Sequence, residues 1–102
     1  MSRPYTIEEI KQKLTPIFES KDVARAVLFG PYAKGEATEN CDIDIVAYVD
    51  EDMSILTFCE IADDVINELG KHVNFLYADD IIPGGDIDLA LQVEGVLLYA
   101  KD

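Results

Sequence analysis

The chain has 102 residues, 49% of them apolar, and sets eight Lys plus Arg against 21 Asp plus Glu. That length makes one domain, residues 1–102, large enough to enclose a core of its own. A net charge of −13 repels phosphate backbones, which argues against nonspecific nucleic-acid binding and fits a basic protein partner or simple solubility.

No apolar run approaches the roughly 20 residues that span a bilayer, and Met1-Ser2-Arg3-Pro4-Tyr5 has no apolar signal-peptide core. The expectation is a cytoplasmic protein with no membrane segment. Cys41 and Cys59 form no CxxC and predict no structural disulfide. His72 is the single histidine and has no second histidine or cysteine pair with which to build a zinc site.

Thr6-Ile7-Glu8-Glu9 has the Thr-x-x-Glu form of a capping box. Ile7, Ile10, Leu14, Ile17 and Phe18 then recur at helical spacing and predict a helix over 6–20. Pro16 conflicts with that pattern and is expected to kink the last turn or end the helix near Thr15. The segment 23–29 is almost wholly apolar and predicts a strand buried on both faces. Gly30 ends it. Residues 31–34 predict a short helix, 35–40 a loop, and 43–49 a second strand. Asp50-Glu51-Asp52 is an acidic turn suited to capping the next helix.

Ile55, Phe58, Cys59, Ala62, Val65, Ile66 and Leu69 form an apolar stripe, so a helix is expected over about 53–69, with Cys59 in the core and Gly70 as the C-cap. A third strand follows over 73–77. Pro83-Gly84-Gly85 is a loop, Asp86 a candidate cap for a short helix over 86–93, and 95–99 a last strand. Alternating helices and strands of this kind predict a small α/β or α+β sandwich.

The densest chemistry lies between Leu28 and Ile45. An apolar run breaks at Gly30, passes through Pro31-Tyr32-Ala33-Lys34-Gly35, and re-enters an apolar run carrying Asp42 and Asp44. On one strand, side chains two apart leave the same face with Cα atoms about 6.6–6.8 Å apart. Two carboxylates so placed suit a hard cation such as magnesium, which takes one or two carboxylates plus substrate phosphates. Asp86-Ile87-Asp88 repeats the Asp-x-Asp pattern, but its flanks mark a helix start, where acidic residues favour the dipole and side chains two apart do not meet.

Gly30, Lys34, Gly35, Asp42 and Asp44 together resemble the signature of the nucleotidyltransferase superfamily that includes DNA polymerase beta, and most of all its minimal members. Their pattern is Gly-Ser, two variable residues, Arg or Lys, Gly, a short spacer, then Asp-x-Asp. The ending Val93-Glu94-Gly95-Val96-Leu97-Leu98-Tyr99 is also typical of those members. The resemblance implies a small mixed β-sheet with helices packed largely on one side. It implies metal binding by Asp42 and Asp44, and a phosphate site shaped by Gly30, Pro31, Lys34 and Gly35.

This chain departs from the pattern twice. Pro31 stands where the family has a serine that helps hold the nucleotide phosphates, and proline brings neither hydroxyl nor N–H. Asn74 stands where many members have a third aspartate that activates the attacking hydroxyl, and asparagine can neither take that proton nor add charge.

The resemblance implies transfer of a nucleoside monophosphate from a magnesium-bound NTP, such as ATP, to a hydroxyl. Minimal members are commonly antitoxins paired with an all-helical ribonuclease toxin, and some adenylylate that toxin. Two expectations follow. One is an enzyme whose site is weakened at Pro31 and Asn74. The other is a degenerate binding module that masks a small basic or helical, toxin-like partner.

Overall fold

The computed structural model describes residues 3–101; residues 1, 2 and 102 of the expected single domain lie outside them. Helix α1 (Ile7–Ser20) starts at the capping box. The Thr6 hydroxyl accepts the Glu9 N–H at 3.1 Å, and the Glu9 carboxylate accepts the Thr6 N–H at 2.9 Å. As the apolar spacing predicts, α1 runs to Ser20; Pro16 lies inside it and does not end it near Thr15. Pro16 deprives the carbonyl four residues back of its donor, while the neighbouring Lys11 carbonyl gains the Thr15 hydroxyl at 2.7 Å. Leu14 and Phe18, on either side of the proline, are fully buried and hold the helix against the core.

Strand β1 (Val23–Phe29) leads through Gly30 into α2 (Pro31–Lys34). The expectation that β1 is buried on both faces fails at its start, where Ala24 and Arg25 are exposed. Arg25 instead lies 4.1 Å from the ring centre of Tyr48. Strand β2 (Ile43–Val49), helix α3 (Ile55–Leu69) and strand β3 (Val73–Tyr77) follow, then a 3₁₀ turn at Ala78–Asp80, helix α4 (Asp86–Glu94) and strand β4 (Val96–Ala100).

The sheet order is β3-β2-β1-β4. β1 is antiparallel to both β2 and β4, and β2 is parallel to β3 across the α3 crossover. This is the expected mixed sheet.

Helices α1 and α3 cover one face. Ile10, Leu14 and Phe18 of α1 and Ile61, Val65 and Leu69 of α3 close over Ala26, Leu28, Ile43 and Ile45. An aromatic series crosses this layer. Phe18 lies 5.8 Å from Tyr99 and 6.3 Å from Phe75, and Phe58 lies 5.2 Å from Phe75 and 5.6 Å from Tyr77, centre to centre. Such pairs each add about 0.5–1.5 kcal/mol beyond area burial. Helix α4 packs on the other side of β1, where a Cβ on Gly95 would crowd Val27.

Two helix starts differ from expectation. The acidic turn Asp50–Asp52 does not cap α3; Ser54 does, accepting the Thr57 N–H at 3.1 Å. Asp50 instead closes its own turn by accepting the Asp52 N–H. At α4 the cap position is Gly85, and it is Asp88 that reaches back to accept the Gly84 N–H at 2.8 Å.

The apolar stripe of α3 also divides. Ile61, missing from the expected stripe, is fully buried, whereas Ile55 is 79% exposed and Cys59 is exposed rather than core. The first turn of α3 lies at the ends of β2 and β3, where Ile55 lines an open groove with Val49 and Tyr77. Among the described residues, no helix is long and apolar enough to cross a membrane.

Candidate active site

The site is built by strand register. β2 and β3 run parallel with Ile43 opposite Val73 and Asp44 opposite Asn74. On its other side β2 sets Asp44 against Phe29, the last residue of β1. Asp44 therefore leaves the sheet face opposite the α1–α3 layer, beside the β1–α2 loop on one flank and Asn74 on the other. The Asn74 amide donates to Asp44 Oδ1 at 2.8 Å.

Asp42 lies one residue before β2, and the Ile43 N–H bonds to the His72 carbonyl at 3.2 Å. That contact carries the pairing one step beyond the strands. It puts His72 Nδ1 3.2 Å from Asp42 Oδ2, an ion pair when the imidazole is protonated. Both side chains are well exposed. The sequence offered no reason to place His72 here; only the β2–β3 register does.

Gly30 sits at φ +77°, and a Cβ there would collide with Asp44 Oδ2. Both facts demand glycine: an L side chain is strained at that φ, and the carboxylate occupies the space. Pro31 takes the first helical position, for which its ring is pre-set. The Gly30 carbonyl accepts the Ala33 and Lys34 N–H groups, and Gly35 ends the turn. Tyr32 is buried as packing, and Lys71 Nζ donates to its hydroxyl at 3.0 Å.

Glu94 is the residue that inspection of the sequence passed over. From the end of α4 its Oε2 accepts the Gly30 N–H at 2.7 Å, and its Oε1 lies 3.9 Å from Lys34 Nζ. Lys34 also faces Glu36 at 3.8 Å. A carboxylate of the chain itself thus engages the glycine loop and its lysine. The only hint in the sequence was the Glu94-Gly95 pair in the carboxy-terminal motif.

Beside the site, Cys41 Sγ takes the Thr38 N–H at 3.4 Å and lies 3.5 Å from the Thr38 hydroxyl. These bonds, with Lys71 nearby, hold its thiol below the ordinary range.

Asp42, Asp44, Gly30, Lys34, Gly35 and Asn74 thus gather at one end of β1, β2 and β3. Among the described residues no three His, Cys, Asp or Glu side chains cluster as a metal cage. The carboxylates present at this end of β2 are those of Asp42 and Asp44. Asn74 takes one oxygen of Asp44 and His72 one of Asp42. Such a set fits a hard cation whose remaining ligands are water and substrate phosphate oxygens.

The profile of the Polymerase beta nucleotidyltransferase family matches residues 12–102. The chain belongs to this family. It is 39% identical over 77 residues to a Methanocaldococcus jannaschii protein provisionally named a protein adenylyltransferase, a match covering 76% of this chain and 83% of that one. Its fold is that of a solved structure provisionally named a minimal nucleotidyltransferase, with a TM-score of 0.75, 19% identity, and coverage of 90% and 95% of the two chains. A chain from the complex of a tri-AMPylated Shewanella oneidensis HEPN toxin with its MNT antitoxin superposes with a TM-score of 0.61 at 18% identity, covering 94% of this chain and 74% of that one. Membership of the nucleotidyltransferase family implies an NTP as the substrate class.

Proposed function

We propose that this protein is an adenylyltransferase-type antitoxin that transfers AMP from magnesium-bound ATP to a hydroxyl on a helical toxin partner, through a site of reduced strength. The observation that carries this reading is the meeting of Asp44, the Gly30 loop and Asn74 at the end of three strands, in a chain 39% identical to a relative named for protein adenylylation. The Shewanella oneidensis complex, an AMPylated toxin held by its antitoxin, supports the choice of acceptor.

In this reading Asp42 and Asp44 hold the cation and Lys34 faces the phosphates. Bound metal would neutralise charge on the phosphates and align the attacking and leaving oxygens. The chain's own part is to orient. Gly30 lets the loop approach the carboxylate, and Asn74 fixes the rotamer of Asp44 through its amide bond. Asn74 cannot accept the proton of the incoming hydroxyl. Pro31 has no N–H to offer a phosphate, and Glu94 holds the N–H of Gly30. ATP therefore competes with a resident carboxylate, and binding is weak.

The Asn74–Asp44 bond also favours a second reading, in which a neutral partner has replaced a metal-binding carboxylate and the protein acts by masking the toxin. Both readings are tested by incubating the chain, co-purified with its helical partner, with magnesium and ATP labelled at the α-phosphate. Label on the partner that disappears with Asp42→Ala and Asp44→Ala establishes transfer. An unlabelled partner whose ribonuclease activity is still suppressed by the Asp42→Ala chain establishes masking alone.

A further inference from the structure

At the opposite end of β2 and β3 from Asp42 and Asp44, an open groove of about 840 Å³ lies between the first turn of α3, the last residues of β3 and the start of α4. Met53, Ile55, Phe58, Tyr77, Ile82 and Ile87 line it. Ile55 and Ile82 are 79% and 75% exposed, although a soluble chain gains by burying side chains of this size. Phe58 and Tyr77 are held edge to face at 5.6 Å, so part of the floor is rigid and pre-formed.

The rim is acidic. Asp80 and Asp86 line the groove, and Glu51 lies close enough to Tyr77 for its charge to act on the Tyr77 hydroxyl. Asp79 accepts the Tyr77 hydroxyl at 3.0 Å. That bond, then burial, then the charges of Asp79, Asp80 and Glu51, push the Tyr77 hydroxyl above its ordinary range.

None of these four carboxylates (Glu51, Asp79, Asp80 and Asp86) joins an ion pair among the described residues. The chain's own cations are engaged elsewhere. Arg3, Lys11, Lys13, Lys21, Lys34 and Lys101 pair with other acids, Arg25 lies over Tyr48, and Lys71 bonds Tyr32 and the Glu39 carbonyl.

We infer that this groove is a docking site for a partner protein's amphipathic helix, with an apolar stripe that fills the groove and Lys or Arg on both flanks that meet the rim. Helix-in-groove recognition needs such a strip of apolar pockets, and complementary charge supplies orientation and encounter rate. A second copy of this chain would set −13 against −13, and an anionic membrane would meet the same repulsion. The inference rests on the partner-binding part of the proposed function. It adds that the partner is gripped away from the nucleotide end, so that its far side is free to reach Asp42 and Asp44.

The test uses the full chain without nucleotide, and a labelled synthetic Leu/Lys amphipathic helix beside its Leu/Glu counterpart. Fluorescence anisotropy should show saturable binding of the Leu/Lys helix alone. Ile55→Asp with Ile82→Asp should weaken it by about tenfold or more, as loss of central apolar anchors does. Asp79→Asn, Asp80→Asn and Asp86→Asn together should reduce its salt dependence. Val93→Asp, at an 85% exposed position outside the groove, should leave binding unchanged. Ile55 and Ile82 are exposed, so their replacement leaves the core intact, and a thermal melt checks this. Asp42→Ala should abolish AMP transfer yet keep helix binding, so failure of the catalytic reading is distinguishable from failure of this one. Equal binding by wild type and the groove variants overturns the inference. So does equal binding of the Leu/Glu helix, or a dimer in sedimentation that Ile82→Asp dissolves.

Discussion

At the residue scale the proposed site turns on Gly30, Pro31 and Asn74. At Gly30, replacement by alanine puts a methyl group onto Asp44 Oδ2 and forces an L residue to φ +77°. Strain of this kind costs about 1–3 kcal/mol, and the carboxylate must also leave its bond from Asn74. Gly30→Ala should therefore lower the free energy of unfolding in urea by about that amount, and a variant as stable as wild type would disprove the close approach. In the proposed function, Pro31 and Asn74 act on binding. Pro31→Ser returns a hydroxyl and an N–H at the loop, and Asn74→Asp returns a base and a metal charge opposite Asp44. The double variant should lose stability in EDTA, where the added carboxylate repels Asp44, and regain it with magnesium and ATP. Thermal melts of both proteins under each condition check this. Equal shifts on adding magnesium and ATP would mean that these two residues are not what weakens the site.

Single contacts also locate the ends of the elements. α3 begins at Ser54, whose hydroxyl takes the Thr57 N–H, so Ser54→Ala should cost about 1 kcal/mol. Asp52→Ala, which removes a side chain that caps nothing in α3, should be nearly neutral; chemical denaturation of the two variants tells them apart. In α1 the capping box includes Glu9, held down to about 2 from 4.5, first by its bond from Arg3 and then by the Thr6 N–H. A carboxylate whose folded value is depressed adds stability above its unfolded value and loses it as the pH falls toward the folded one. The α1 contribution should therefore fade between pH 4.5 and about 2. Glu9→Gln should remove that part of the acid limb in circular-dichroism titrations, and an unchanged limb would refute it. Pro16 shows an element overriding a local rule. The buried positions on both sides of it, Leu14 and Phe18, keep the helix going where backbone bonding alone would stop it.

Over the whole molecule, charge dominates. A chain at −13 pushes its own acidic surface apart, and apart from Arg3–Glu9 at 2.8 Å most of its ion pairs are long, five at 3.8–4.0 Å, so they contribute little. Screening should relieve more repulsion than it costs in attraction. The melting temperature should rise as sodium chloride increases from about 0.02 to 0.3 M, over which the Debye length falls well below the protein's size. A falling melting temperature would mean that the exposed ion pairs outweigh the repulsion.

The element series and the motif were readable from sequence because both are local. Helical periodicity, the Thr6–Glu9 box, the turn glycines and the spacing from Gly30 to Asp44 depend on residues close together in the chain. What the sequence left open is what the register of distant segments decides. The parallel pairing of β2 with β3 brings His72 to Asp42 across 30 residues; Asn74, which the resemblance already set at the site, meets Asp44 by the same pairing. The packing of α4 on β1 brings Glu94 to Gly30 across 64. Cys59 and Ile55 fall in the stripe that reads as core, yet both are exposed, because the side of α3 that meets the sheet is the one carrying Ile61, Val65 and Leu69, and both residues lie well round the helix from Ile61. Periodicity shows which side of a helix is apolar. Whether anything lies against that side depends on where the other elements lie.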